Sequence, residues 1–568
     1  MSAPRYLLLA GPSDLLDALL PHARAIAQDA QLSPVFDHPE ARMFCPIDAV
    51  IRHDPHGIVI GSVFARDARA LSDTSHATLL THHWGNYLAL EMGRRRAALL
   101  RAPFGELGCY HWSDGRLIVA ASDMPLLSRW AGQPPAVDWQ GVARHLLWSE
   151  LRTGATCLSG ISELQGGERL TFGPGPLRVE TCWSPWDHAV ACAPPDFEHA
   201  ADQLRRIAID CVGRLGSELA PILVQLSGGL DSSIVAAALA RAGVRFDCVT
   251  FVTEDPTGDE RIHARAVAAH LGVQLREVYR EVTGVDLTRS NAAHLPRPTG
   301  RSFAQESERI ALEAAGLSGA SAIFRGGGGD NVFCFLQSVR PLVDQVRAGG
   351  IGSGLLGAAR DLCQLTGAGL GEVTWRTLRQ LRRPLRYPLP ADARLLAPDL
   401  RTIGGEQAGH HWLDPPDDMP PGKVAHVALL LAMANHREPL APAIALPLLS
   451  PLMAQPLVEH CLRIPSWWWF RGGNNRAVAR HAFARDLPAE TIARRSKGTP
   501  DSFAMRLFEA NRSLLRTMLL DGLLAREGLI DREAVELALA ESGPIRGHGY
   551  ARLLQLADVE AWARSWQV

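Results

Sequence analysis

The chain has 568 residues, of which 47% are hydrophobic and 21% charged, so it has enough apolar material for at least two cores and is not a disordered chain. With 58 basic and 60 acidic side chains its net charge is −2, which excludes a general electrostatic attraction to nucleic acid or to anionic lipid. The ten cysteines are scattered without a C-x-x-C pair, so isolated buried thiols are expected rather than a disulfide framework or a zinc knuckle.

The first apolar run, residues 6–10, is soon broken by Asp14 and Asp17 and makes no secretory signal. No later run approaches the roughly 20 apolar residues of a membrane span, and a cytoplasmic protein is expected. Segments 57–61, 84–90, 115–120 and 168–172 then read as short strands between turns, the pattern of a layered β-rich domain. Two prolines in Ala191-Cys-Ala-Pro-Pro-Asp196 break this pattern, and the boundary is placed there: one domain over 1–192 and a second over 197–568.

From residue 197 the pattern alternates between helix at 204–219, strand at 222–226, helix at 232–242 and strand at 246–252. This is the signature of a parallel α/β sheet. Beyond about residue 335 strand signals fade, and amphipathic helices interrupted by proline-rich turns predict a helical lobe packed on the sheet.

Two glycine loops carry the chemistry. The apolar strand 222–226 runs through Ser227-Gly228-Gly229-Leu230-Asp231-Ser232-Ser233 into an alanine-rich helix. Glycines allow close backbone approach, the helix start presents free N–H groups and a positive dipole end, and Ser227, Ser232 and Ser233 add hydroxyl donors. This is an anion cradle without the lysine of a Walker loop. The second loop, Arg325-Gly-Gly-Gly-Gly-Asp-Asn331, follows a short apolar strand, bares its backbone at Gly326, and ends on Asp330 and Asn331. By itself such a run is a flexible turn. Beside the first loop, on the carboxyl edge of an open sheet, Asp330 can complete a metal site with Asp231.

The first loop resembles the pyrophosphate loop of ATP pyrophosphatases. With Asp259-Glu260 and the second loop, it resembles the synthetase domain of the asparagine synthetase B superfamily. Upstream, Trp84-Gly-Asn-Tyr87, Arg101-Ala-Pro-Phe-Gly105 and Ala120-Ala-Ser-Asp123 are similar to the family's glutaminase-type N-domain. Downstream, Asn475-Arg-Ala-Val-Ala-Arg480 and Arg495-Ser-Lys-Gly498 are similar to its C-terminal landmarks. The resemblance implies an Ntn-type layered β domain followed by an ATP-pyrophosphatase-type parallel α/β domain. It implies ATP as co-substrate held by Ser227, Gly228, Gly229, Asp231, Ser232, Ser233, Arg325 and Gly326, with Mg²⁺ on Asp231 and Asp330.

It also implies a catalytic lysine at Lys497, one of only two lysines in the chain. By position alone Lys497 reads equally well as a solvated surface charge. Lys423 has no such support and is read as surface. The pairs His82-His83 and His410-His411, and His53 with His56, lack accompanying acids at ligand spacing and are read as surface or hydrogen-bonded histidines. Trp467-Trp-Trp-Phe470 is read as core or lobe interface.

Departures from the family pattern narrow the expectation. Ser2 stands where family glutaminases expose a cysteine, and a hydroxyl is a far weaker nucleophile than a thiolate. Gly327 stands where asparagine synthetases have a glutamate, and Asn331 replaces an acid. Loss of both points to a relative whose amine comes from another substrate, most similar to lasso-peptide cyclases and also related to β-lactam synthetases. The expected partners are then a leader-cleaved precursor peptide, a leader peptidase and a leader-recognition protein, with no nucleic acid and no membrane. A small-molecule amide synthetase, a non-catalytic paralogue and a sulfur- or ammonia-transferring pyrophosphatase are the other readings.

Overall fold

In the computed structural model, described residues are 4–67, 70–94, 96–190, 192–255, 258–350, 352–383, 387, 389–400, 409–438, 440–444, 446–495, 501–540 and 549–567. Ser2 and Lys497 lie outside them.

The N-terminal part contains two six-stranded antiparallel sheets. Alternation along each strand decides what each face meets. Leu8 and Ala10 of the strand Leu7–Ala10 join Leu88 and Leu90 of His83–Met92 in one core between the sheets. Leu7 and Leu9 face outward onto the helix Ser13–Asp29, whereas Tyr87 and Ala89 face the helix His76–His82. The result is helix, sheet, sheet, helix: the β layers are expected from the sequence, and the flanking helices add to them.

The second sheet has five parallel strands in the order Leu275–Tyr279, Phe246–Val252, Ile222–Gln225, Ala322–Arg325 and Leu448–Leu449. Both faces are covered, as a parallel sheet requires. Ile222 and Val224 pack with the helices Phe197–Leu219 and Leu230–Arg241, and Leu223 packs with Ile310 and Ala314 of the helix Ala304–Ser318. Chain order along the sheet reverses between Ile222–Gln225 and Ala322–Arg325, which opens a crevice beyond their carboxyl ends.

The helical remainder departs from the expected single lobe on the sheet. The helices Pro421–Ala432 and Gln455–Arg463 do pack there. Arg340–Gly349, Ser353–Thr366 and Leu370–Leu381 instead form a small cluster around Leu342, Leu362 and Phe470. The last helices, including Gly549–Ser565, return to the N-terminal half, where Leu553 and Trp562 share a core with Leu16 and Leu146, and Arg552 donates to the Leu146 carbonyl at 3.1 Å. Apolar periodicity announces a buried face but not which surface buries it.

Candidate functional site

Both glycine loops reach the crevice. In the first, Gly228 has φ +69° and lies against the backbone of His263 and Ala264, leaving no room for a Cβ. Ser227 N–H donates to Ser232 Oγ at 3.2 Å, and Gly229 N–H donates to Ser227 Oγ at 3.3 Å. These bonds hold the loop open at the start of Leu230–Arg241. Ser233 is fully buried, and its hydroxyl has no hydrogen-bond partner among the described residues.

The second loop closes on the first. A Cβ on Gly326 would meet the Ser232 amide nitrogen at 2.5 Å, and one on Gly329 would overlap the Asp231 carboxyl. Gly328 has φ +85°. Three glycines are therefore fixed by close approach and torsion. Gly327 is different: its missing Cβ faces Ser450 Oγ at 3.1 Å and Arg325 Nε at 3.5 Å. Asn331 donates its amide to the Leu429 carbonyl at 2.6 Å, so it anchors the loop to a neighbouring helix.

Asp231 and Asp330 converge on one nitrogen. Arg476 Nη1 lies 2.9 and 3.0 Å from the two Asp231 oxygens and 2.6 Å from Asp330 Oδ1. Arg476 itself is 7% exposed and held at φ +53°. Among the described residues no group of three or more His, Cys, Asp or Glu forms a metal cluster. Magnesium needs only one or two carboxylates when phosphates complete its shell, and here the guanidinium nitrogen marks the point at which a cation would meet both acids. The donor set fits Mg²⁺ once Arg476 turns toward a phosphate.

The cleft between the loops has a volume of about 350 Å³ and is lined by Ser227, Gly229, Asp231, Ser232, Arg325 and Gly326 from the sequence expectation. It is also lined by Glu260, Arg280, Arg476 and Arg494, which the sequence reading gave no site role. Among the described residues Arg280 Nε, Arg494 Nε and Arg494 Nη1 are buried donors without hydrogen-bond partners, and burial lowers the pKa of Arg280. Arg494 also donates to Glu260 at 2.8 Å. Unfilled guanidinium donors around a serine and glycine cradle suit a polyanion. Gly228 and Ser233 support the loop from behind.

Arg325 links this cleft to the N-terminal domain. Its Nε donates to Ser450 Oγ at 3.0 Å and its Nη2 to the His436 carbonyl at 2.6 Å, while the Ser450 N–H donates to Glu106 at 3.3 Å. Burial pulls the Arg325 pKa down, against the attraction of Glu106 and Glu308.

Two expectations are overturned, those for Lys423 and for Cys192. Lys423 is not a surface residue: it is 7% exposed and donates to the carbonyls of Leu462 and Ile464. Cys192 is exposed, whereas seven other cysteines are buried. His410 stacks on His411 at 4.7 Å and accepts the Trp412 N–H, and burial lowers its pKa to about 3. Trp469 and Phe470 are core residues. No helix among the described residues is long and apolar enough to cross a membrane.

A parallel sheet with an anion-binding glycine loop and paired acids at its reversal point defines a nucleotide-binding α/β enzyme. The family model "Asparagine synthase" matches residues 203–564, and the chain belongs to that family. It is an ATP-dependent amide-forming ligase. No curated protein matches it. Among solved structures it is similar to the "allosteric regulatory enzyme of purine biosynthesis", at 9% identity over 49% of this chain and 75% of that one, with a TM-score of 0.18. It is also similar to "glutamine phosphoribosylpyrophosphate (PRPP) amidotransferase from B. subtilis", at 9% identity, the same coverage and a TM-score of 0.17. Neither similarity is high enough to bear on activity.

Proposed function

We propose that this ligase is a macrolactam synthetase. It adenylates an Asp or Glu side chain of a ribosomal precursor peptide and joins it to the peptide's N-terminal amine. The carboxylate oxygen attacks the α-phosphorus of ATP, the bond to pyrophosphate breaks, and the amine nitrogen then attacks the acyl carbon and expels AMP. Ser227, Gly229 and Ser232 cradle the phosphates, with Arg280, Arg476 and Arg494 neutralising them. Mg²⁺ on Asp231 and Asp330 would stabilise the departing pyrophosphate. Lys497 would offset charge on the adenylate and the tetrahedral intermediate.

The observation that carries the reading is the second loop. Gly327 puts no side chain beside Arg325 and Ser450, and Asn331 is committed to the Leu429 carbonyl. Neither position offers an acid for a small amino-acid acceptor. Closing a small ring costs on the order of a few kcal/mol of chain entropy, so the protein must hold the peptide as well as activate it. A leader peptidase and a leader-recognition protein would deliver the peptide.

The test incubates the protein with ATP, Mg²⁺, the co-encoded precursor and its leader peptidase. A product one water lighter and resistant to N-terminal sequencing is expected. Turnover of aspartate with ammonia, or of a small β-amino acid, with every co-encoded peptide left linear, would replace this reading by a small-molecule amide synthetase.

A further inference from the structure

Away from the nucleotide cleft, the small helical cluster carries a second, open cleft of about 750 Å³. One wall is the helix Leu370–Leu381 and the residues just beyond it. Glu372, Arg376, Arg379 and Arg383 recur along one face, while Val373, Thr377 and Gln380 turn into the cluster. The opposite wall is segment 337–340, where Arg340 stacks on the Tyr387 ring at 4.8 Å and keeps Nη1 buried without a hydrogen-bond partner among the described residues.

Charge in this cleft is one-sided. Four arginines face one acid, and that acid is taken, because Glu372 pairs with Arg376 at 2.7 Å. Arg340, Arg379 and Arg383 form no ion pair with any described residue. Trp375, 58% exposed, lines the cleft with Arg379 over its ring at 5.4 Å, and Leu378 beside it is 55% exposed. Exposed aromatic and aliphatic groups among unpaired guanidiniums suit a ligand that is both anionic and apolar.

The cleft adjoins the catalytic loop along the chain. Phe335 packs its ring under the Arg476 guanidinium at 5.4 Å, and Gln337, two residues on, already lines the second cleft.

We propose that this cleft binds an acidic peptide segment bearing apolar side chains, its carboxylates on Arg340, Arg379 and Arg383 and an apolar residue on Trp375. The proposal rests on the peptide-substrate reading above and supplies the grip that ring closure demands. Val339, Leu362 and Val373 in the lining favour a peptide with apolar side chains over a nucleic acid, whose backbone would present phosphate alone to them.

The experiment is fluorescence anisotropy on the full-length protein with a labelled peptide of alternating Glu and Leu. A Gln and Leu peptide of the same length, and an oligothymidylate, serve as comparison probes. The Glu and Leu peptide is expected to bind in a salt-sensitive manner. Arg379→Glu with Arg383→Glu should weaken it on the order of tenfold or more, and Trp375→Ala should weaken it while keeping every charge. Arg347→Glu, exposed on the same cluster outside the cleft, should have no effect.

Equal binding by wild type and both cleft variants, or no binding at all, overturns the proposal. Preference for the oligothymidylate overturns it in favour of a nucleic acid. Since the assay needs no turnover, its failure beside intact precursor cyclisation removes this site alone. Peptide binding without cyclisation would remove the macrolactam reading instead.

Discussion

Arg476 and Asp231, 245 positions apart in sequence, are joined inside the protein by one guanidinium nitrogen that reaches both carboxylate oxygens at 2.9 and 3.0 Å. The same nitrogen holds Asp330, so the two acids share one cation. Asp231→Asn and Asp330→Asn should each lower kcat/KM by about 3 kcal/mol, on the order of a hundredfold, without unfolding the protein. Arg476→Met removes the cation that both carboxylates share and should bind Mn²⁺ more tightly than wild type in the absence of nucleotide, read by paramagnetic resonance. Unchanged Mn²⁺ affinity would show that Arg476 does not compete for this point.

Gly329 supports the same acid sterically. A methyl group there overlaps the Asp231 carboxyl, so Gly329→Ala should cost activity about as much as Asp231→Asn. Gly327→Ala meets only contacts at 3.1 Å or more and should be far milder. Comparing the two rates distinguishes a steric rule for each glycine from a general need for flexibility.

Much of this was legible in the sequence because the signals are local. Strands Phe246–Val252 and Glu168–Phe172 fall where apolar alternation and turns put them, and the serines and glycines of 227–233 sit on the crevice because a strand leads straight into a helix. Arg476, Arg494 and Arg280 were not assigned because they arrive from distant segments. Nothing local distinguishes them among the chain's many arginines. The Asn475-Arg476 landmark was visible, but its pairing with Asp231 is purely tertiary. Lys423 misled because a lone lysine is normally exposed, whereas two backbone carbonyls left over near the helix end Gln455–Arg463 hold this one inside.

Burial lowers the Lys423 pKa to about 8, and the Asp344 carboxylate opposes the shift. The ammonium is therefore harder to charge in the folded chain than in the unfolded one. Its stabilising contribution is full above the ordinary lysine range and is lost as pH falls through about 8. The melting temperature of wild type relative to Lys423→Met should rise between about pH 8 and pH 10.5, an effect of up to about 3 kcal/mol. A flat difference across that interval would place the charge in solvent.

Glu459 ties the two halves together. It takes both arms of Arg66, at 2.5 and 2.9 Å, and the Trp183 indole N–H at 3.0 Å. Burial raises the Glu459 pKa, but Arg66 outweighs it and the net shift is downward. This contribution is present above the ordinary glutamate range and lost as pH falls through the lowered value. Glu459→Ala leaves a partly buried arginine unpaired and should destabilise the protein by roughly 3 kcal/mol, seen as earlier thermal unfolding. Arg66→Met with Glu459→Met should recover part of that loss.

The central claim is that the cleft between the two glycine loops splits ATP at its α-phosphate to activate a carboxylate. The direct measurement is the nucleotide balance during amide formation with the peptide substrate proposed above, followed by chromatography of the quenched reaction. AMP and pyrophosphate should appear in equal amounts, one of each per amide bond. ADP and inorganic phosphate as the stoichiometric products would contradict the account.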